Sequence, residues 1–171
     1  MWRTRFLMIL TLSGCGITDF DIDQPISEQT IQGSSIPGPL AALFPIPLSL
    51  DLTAKIKERE TGPIDKITLS TLSLTITATN KPAGDTDDWS FVDEIDIFVE
   101  STKSGTTLPK IQIATASSPG AVQTIKFTVD EEMNIKPYVD EGSKVESSSS
   151  GRLPADDVSF DGDSTFTVHP L

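Results

Sequence analysis

Hydrophobic and polar residues alternate with period two over most of this chain. In "LSLDLTAKI", residues 48 to 56, Leu48, Leu50, Leu52, Ala54 and Ile56 share one face, and Ser49, Asp51, Thr53 and Lys55 share the other. That pattern predicts a half-buried strand. "LSLTITAT" repeats it through Leu72, Leu74, Ile76 and Ala78. Ile67 and Leu69 lie in the opposite phase, which predicts a bulge near Ser70. Further short strands are predicted over Ile95–Val99, Ile111–Ile113 and Ile125–Val129, then at Val158 with Phe160 and Phe166 with Val168. Turn chemistry separates them in "NKPAGD", "SSPGA", "DEG" and "FDGDS", and "ESSSSGR" reads as a flexible loop. Helical periodicity is confined to a single turn within "DEEMNIKPYV". Many short alternating strands predict an all-β fold, an antiparallel β-sandwich wound as an immunoglobulin-like Greek key, with a small β-barrel as the alternative.

The pattern divides the chain. Residues 48–171 form the predicted sandwich domain. Residues 15–47 are rich in Pro, Gly, Ser and acid and read as a tether, to which Ile26 and Ile31 could add a first strand. A flexible tether of about 30 residues would reach on the order of 30 Å. Within it, "GPLAALFPIP" offers a short helix started by Pro39 and stopped by Pro45, with Leu40, Leu43 and Phe44 plugging one end of the domain.

Residues 1–14 have another character. Arg3 and Arg5 give a positive head, Phe6 to Leu12 a short apolar run, and Ser13 and Gly14 a small-residue exit. This is the layout of a secretory signal peptide, and the run is too short to span a bilayer. Leu12-Ser13-Gly14-Cys15 resembles the lipobox of bacterial lipoproteins. The resemblance implies that Cys15 is diacylated on its thiol, that cleavage falls just before it, and that the new amino terminus is acylated. It also implies a protein of the cell envelope whose partner is the membrane, reached through that anchor. Gly16, where an Asp would retain the protein at the inner membrane under the enteric sorting rule, leans towards the outer membrane. The rest of the chain resembles uncharacterised lipoproteins of large-genome Gram-negative bacteria, a resemblance that carries no activity.

Composition narrows the possible functions. A lone cysteine excludes an intramolecular disulfide framework. Loss of Arg3 and Arg5 with the signal takes the formal charge from −12 to −14. A surface so acidic repels nucleic acid.

The candidate chemistry is thin. The only histidine, His169, is third from the last residue and reads as an exposed strand end, not as the base of a Ser-His-Asp arrangement. No lysine lies within an apolar run, and no nucleophile-elbow, phosphate-loop or zinc-protease motif is present. A non-enzyme without a cofactor other than the covalent lipid is expected. Two acidic groups are the candidates for a metal: Asp85, Asp87 and Asp88 in "GDTDDW", and Asp156, Asp157, Asp161 and Asp163 in "DDVSFDGDS". Carboxylates clustered on loops can share Ca²⁺, which takes six to eight oxygens. Asp is also a default turn residue, and solvated turns are the preferred reading. Trp89 and Phe91 share one face of an extended stretch, as a platform for a sugar or peptide or, preferably, as the entry of a strand into the core. The expected function is a structural or interaction role at the envelope, towards a protein or glycan. The alternatives are a Ca²⁺- or glycan-binding module and a carrier of an apolar ligand.

Overall fold

A computed structural model describes residues 18–36, 38–39, 52–59, 62–78 and 86–171. In chain order the elements are β1 (Phe20–Ile31), α1 (Leu52–Glu58), β2 (Ile64–Thr77), a 3₁₀ turn (Trp89–Phe91), β3 (Val92–Ser101), β4 (Ile111–Ser117), β5 (Thr124–Lys126), β6 (Thr128–Val129), α2 (Lys136–Glu141), β7 (Ser143–Gly151) and β8 (Val158–Pro170). The strands form two four-stranded antiparallel sheets, in the orders β1-β8-β2-β5 and β6-β4-β3-β7. The expected all-β sandwich is the fold, and the sheets do not close into a barrel. Between them lies one core, in which Leu74, Ile95, Ile97, Phe160 and Phe166 are fully buried.

The winding differs from the immunoglobulin order, in which the first strand lies beside the second. Here β1 lies beside the last strand. The antiparallel pairs are nested: β3 with β4, β2 with β5 outside them, Pro39 with Arg152 outside those, and β1 with β8 outermost. A long hairpin rolled up in this way is a jelly roll.

Local sequence explains most elements. The phase change in β2 is accommodated by a register shift against β8 between Leu69 and Thr71, so Ile67, Leu69, Leu72 and Leu74 all face the core. "IKFTV" is one run in sequence and two strands in space. Ile125 sits opposite Leu74 in one sheet, the Phe127 amide donates to the Leu72 carbonyl at 3.0 Å, and Thr128 and Val129 then pair with β4 in the other sheet. The helical turn near Lys136 and the turns at Gly120 (φ 73°) and Gly142 (φ 85°) are present.

Three expectations about single segments are corrected. The strand predicted from Leu48 is helical from Leu52 to Glu58, while Leu48 and Leu50 fall outside the described residues. Leu52 and Ile56 are four apart, a spacing that one face of a strand and one face of a helix both satisfy. "ESSSSGR" is mostly strand: Ser147 and Ser149 stand opposite Ile97 and Ile95, so β3 supplies the ladder that the serines do not specify by themselves. "FDGDS" is not a turn but the middle of β8. Gly162 is there for close approach, since a Cβ would lie 2.5 Å from the Ser73 carbonyl oxygen and 2.7 Å from Leu74 Cδ2. The first strand that Ile26 and Ile31 could add to the tether is present and longer than those two residues indicate: residues 20 to 31 are β1, paired with β8 from Phe20↔Val168 to Ile31↔Val158, with Ile22, Ile26 and Ile31 buried. The helix expected after Pro39 lies outside the described residues.

The loops gather at two ends. The end where β1 starts and β8 finishes also holds α1, α2 and the β3–β4 loop, and is called the near end. The far end holds the loops that follow β1, precede the Trp89 turn, join β4 to β5 and precede β8. Gly162→Ala is expected to destabilise the fold by about 1–3 kcal/mol through overpacking, read as a lower denaturation midpoint. A wild-type midpoint would mean that β8 does not lie this close to β2.

Candidate functional site

Cys15 and Asp85 lie outside the described residues. The other candidates can be placed. His169 is at the near end, opposite Lys66 in the ladder, with Nδ1 2.8 Å from Asp19 Oδ2. A His–carboxylate pair is two-thirds of a catalytic triad. Among the described residues no hydroxyl bonds the other ring nitrogen of His169, and the pair ties the start of β1 to the end of β8.

The two acidic groups do not stay together. Asp88 caps the 3₁₀ turn, its Oδ1 accepting from the Ser90 amide at 2.9 Å, and hydrogen bonding from the Ser90 side chain first, then from that amide, holds its carboxyl below the usual carboxylate range. The Asp87 carbonyl accepts from the Gln123 side-chain amide. Asp157 Oδ1 accepts from the Gly33 amide at 3.0 Å, which fixes the chain leaving β1. These residues and Asp156 belong to the far end. Asp161 and Asp163, expected in a loop with them, instead stand outward on β8, opposite Thr75 and Ser73 of β2. Among the described residues no group of three or more His, Cys, Asp or Glu side chains gathers closely enough to hold a metal ion.

Trp89 is wholly buried. Its indole N–H donates to the Gln123 carbonyl at 3.2 Å, and its ring stacks on Phe91 at 5.7 Å and meets Phe160 edge-on at 5.6 Å. It is the far-end plug of the core and offers no face to a sugar.

The most perturbed carboxylates went unnoticed in sequence. Glu141, at the end of α2, accepts from Thr106 Oγ1 at 2.6 Å, Ser101 Oγ at 2.8 Å and Lys103 Nζ at 3.1 Å. Those bonds hold its pKa at about 2 and lash the β3–β4 loop to α2. Glu146, on β7, accepts from Lys110 and from Lys144, the latter at 2.6 Å, and its pKa is also lowered to about 2. Lys144 is 3.4 Å from Glu100 as well, and the Lys110 ammonium stands 5.0 Å above the Phe98 ring. No local motif signals either group, because the Glu141 partners are 35 to 40 residues away along the chain. Both groups brace strands and loops at the surface of the sandwich.

No family model matches the chain, and no curated protein matches it in sequence. Among solved structures, a chain from turnip yellow mosaic virus covers 99% of this chain and 91% of its own length, at 15% identity and a TM-score of 0.32. One from Desmodium yellow mottle tymovirus covers 100% and 92%, at 10% identity and a TM-score of 0.31. Likenesses this loose carry no argument about what the chain does.

The lowered carboxylates have a pH consequence. A carboxylate whose pKa is depressed by folding stabilises the fold above its unfolded value, and that stability disappears as pH falls through the folded value. For Glu141 the window runs from 4.5 down to about 2. Denaturant titrations across it should show the wild type losing stability steadily as pH falls and Glu141→Gln losing less. Parallel curves would mean that the Thr106, Ser101 and Lys103 bonds do not form in solution.

Proposed function

We propose that the protein is a lipid-anchored β-sandwich of the bacterial cell envelope, with a structural or interaction role and no catalytic one. One observation carries this reading: the groups best suited to chemistry are engaged in holding strands and loops together. His169 grips Asp19, Glu141 gathers a loop, and Glu146 joins two lysines across the surface. Chemistry near neutral pH instead needs a group poised to accept a proton or attack a substrate. The lipobox-like Leu12-Ser13-Gly14-Cys15 supplies the anchor, and Gly16 favours the outer membrane. Several acyl chains, at about 0.8 kcal/mol per buried methylene, would hold the domain firmly.

A Ca²⁺- or glycan-binding module is the second reading. It is favoured only by the presence of Asp87, Asp88, Asp156 and Asp157 at one end of the sandwich. The experiment is a pair of replacements at the native locus. Cys15→Ser should release the protein from carbonate-washed membranes and abolish its biological role. His169→Ala should leave membrane association and role unchanged. Loss of the role in a folded His169→Ala variant would restore a catalytic reading, and a Cys15→Ser variant that stays in the membrane would overturn the anchor.

A further inference from the structure

The geometry points to a fixed orientation: we propose that the near end of the sandwich rests on the lipid headgroups of the membrane that holds Cys15, so that the far-end loops are the presented surface. This rests on the anchored reading above. The first argument is reach. Because β1 begins at Phe20, only residues 16 to 19 separate the anchored cysteine from the first strand. Five residue steps extend to about 17 Å at most, less than half the length of β8, whose 13 residues at about 3.3 Å each run about 40 Å from one end to the other. The near end therefore lies against the bilayer, and the far end lies away from it.

The distribution of charge agrees with this placement. Five of the cations, Lys55, Lys57, Arg59, Lys103 and Lys136, belong to the two helices and loops of the near end. At the far end Arg152 is the only cation among the described residues, and the same end carries Asp87, Asp88, Asp156 and Asp157. The near end holds carboxylates too, among them Glu58, Asp65, Glu131, Glu132, Asp140 and Glu141, and with Lys66 and Lys110 added to the cations it is close to balanced, whereas the far end is plainly acidic. An anionic headgroup layer attracts lysines and arginines near its surface, by about 1 kcal/mol each, and repels acid within a Debye length. That field turns the far end outward.

The test uses the full-length protein, produced with its signal sequence and reconstituted into vesicles of phosphatidylethanolamine and phosphatidylglycerol carrying a headgroup spin label. Lys57→Cys at the near end and Ala121→Cys at the far end are exposed positions, and each gives a unique thiol for a fluorophore once Cys15 is acylated. Melting curves establish that both variants are folded. Vesicle-bound protein should lose most of its fluorescence at position 57 and little at position 121. Equal quenching at the two positions, or stronger quenching at 121, overturns the orientation while leaving the anchor intact. Failure of both proteins to float with the vesicles overturns the anchor itself, and with it this placement.

Discussion

The structure depends on the last strand having two neighbours. β8 runs down the middle of its sheet with β1 on one side and β2 on the other, and its inward Phe160, Phe166 and Val168 are fully buried. Gly162 lets the Ser73 backbone and the Leu74 and Ile26 side chains close over it. Neither β1 nor β2 touches the other in the ladder, so half of the sandwich is joined through this one strand. All of its pairings link residues distant in sequence, and such non-local contacts make folding slow, because the entropy of closing long loops is lost before the contacts form.

Placing β8 inside the sheet leaves β1 at the edge, where unpaired main-chain groups invite another strand. β1 carries the features that discourage it. Asp21, Asp23 and Glu28 put charge along the edge, and Pro25 has no amide to donate. Lys55 of α1 donates to the Asp23 carbonyl at 2.6 Å, occupying one acceptor. On the outward face Asp21 and Asp23 accept from Thr167 and Thr165 at 2.7 and 2.9 Å, so the acids that protect the edge also fasten it. The acidic composition of this segment, which by itself suggests a tether, is the composition of a guarded edge strand.

The sheet class was legible in sequence because alternation at Leu72, Leu74, Ile95 and Ile97 reports burial on one face directly. The bulge at Ser70 was legible for the same reason. The winding was not, since alternation says nothing about which strands become neighbours. α1 was misread because Leu52 and Ile56 suit both periodicities, and β7 because its serines have no pattern until β3 lies beside them. Of the candidate site residues, Trp89 was read correctly as core on its apolar surroundings. Asp161 and Asp163 were misplaced because Asp and Gly together imitate a turn, while Gly162 is dictated by a strand 88 residues earlier in the chain. Glu141 was invisible because Ser101, Lys103 and Thr106 reach it only through the topology, and Glu146 because Lys110 does, its neighbour Lys144 being an ordinary strand lysine by itself.

The account stands or falls on β1 and β2 being joined through β8 into one cooperative sheet. Amide hydrogen exchange in the intact protein measures this directly, since protection reports the free energy of opening each bond. Amides of β1 that face β8 should be protected, and should open together with those of β2 and β8 as denaturant is raised. Exchange of residues 20 to 31 at the rate of an unstructured chain, with β2 and β8 still protected, would contradict it.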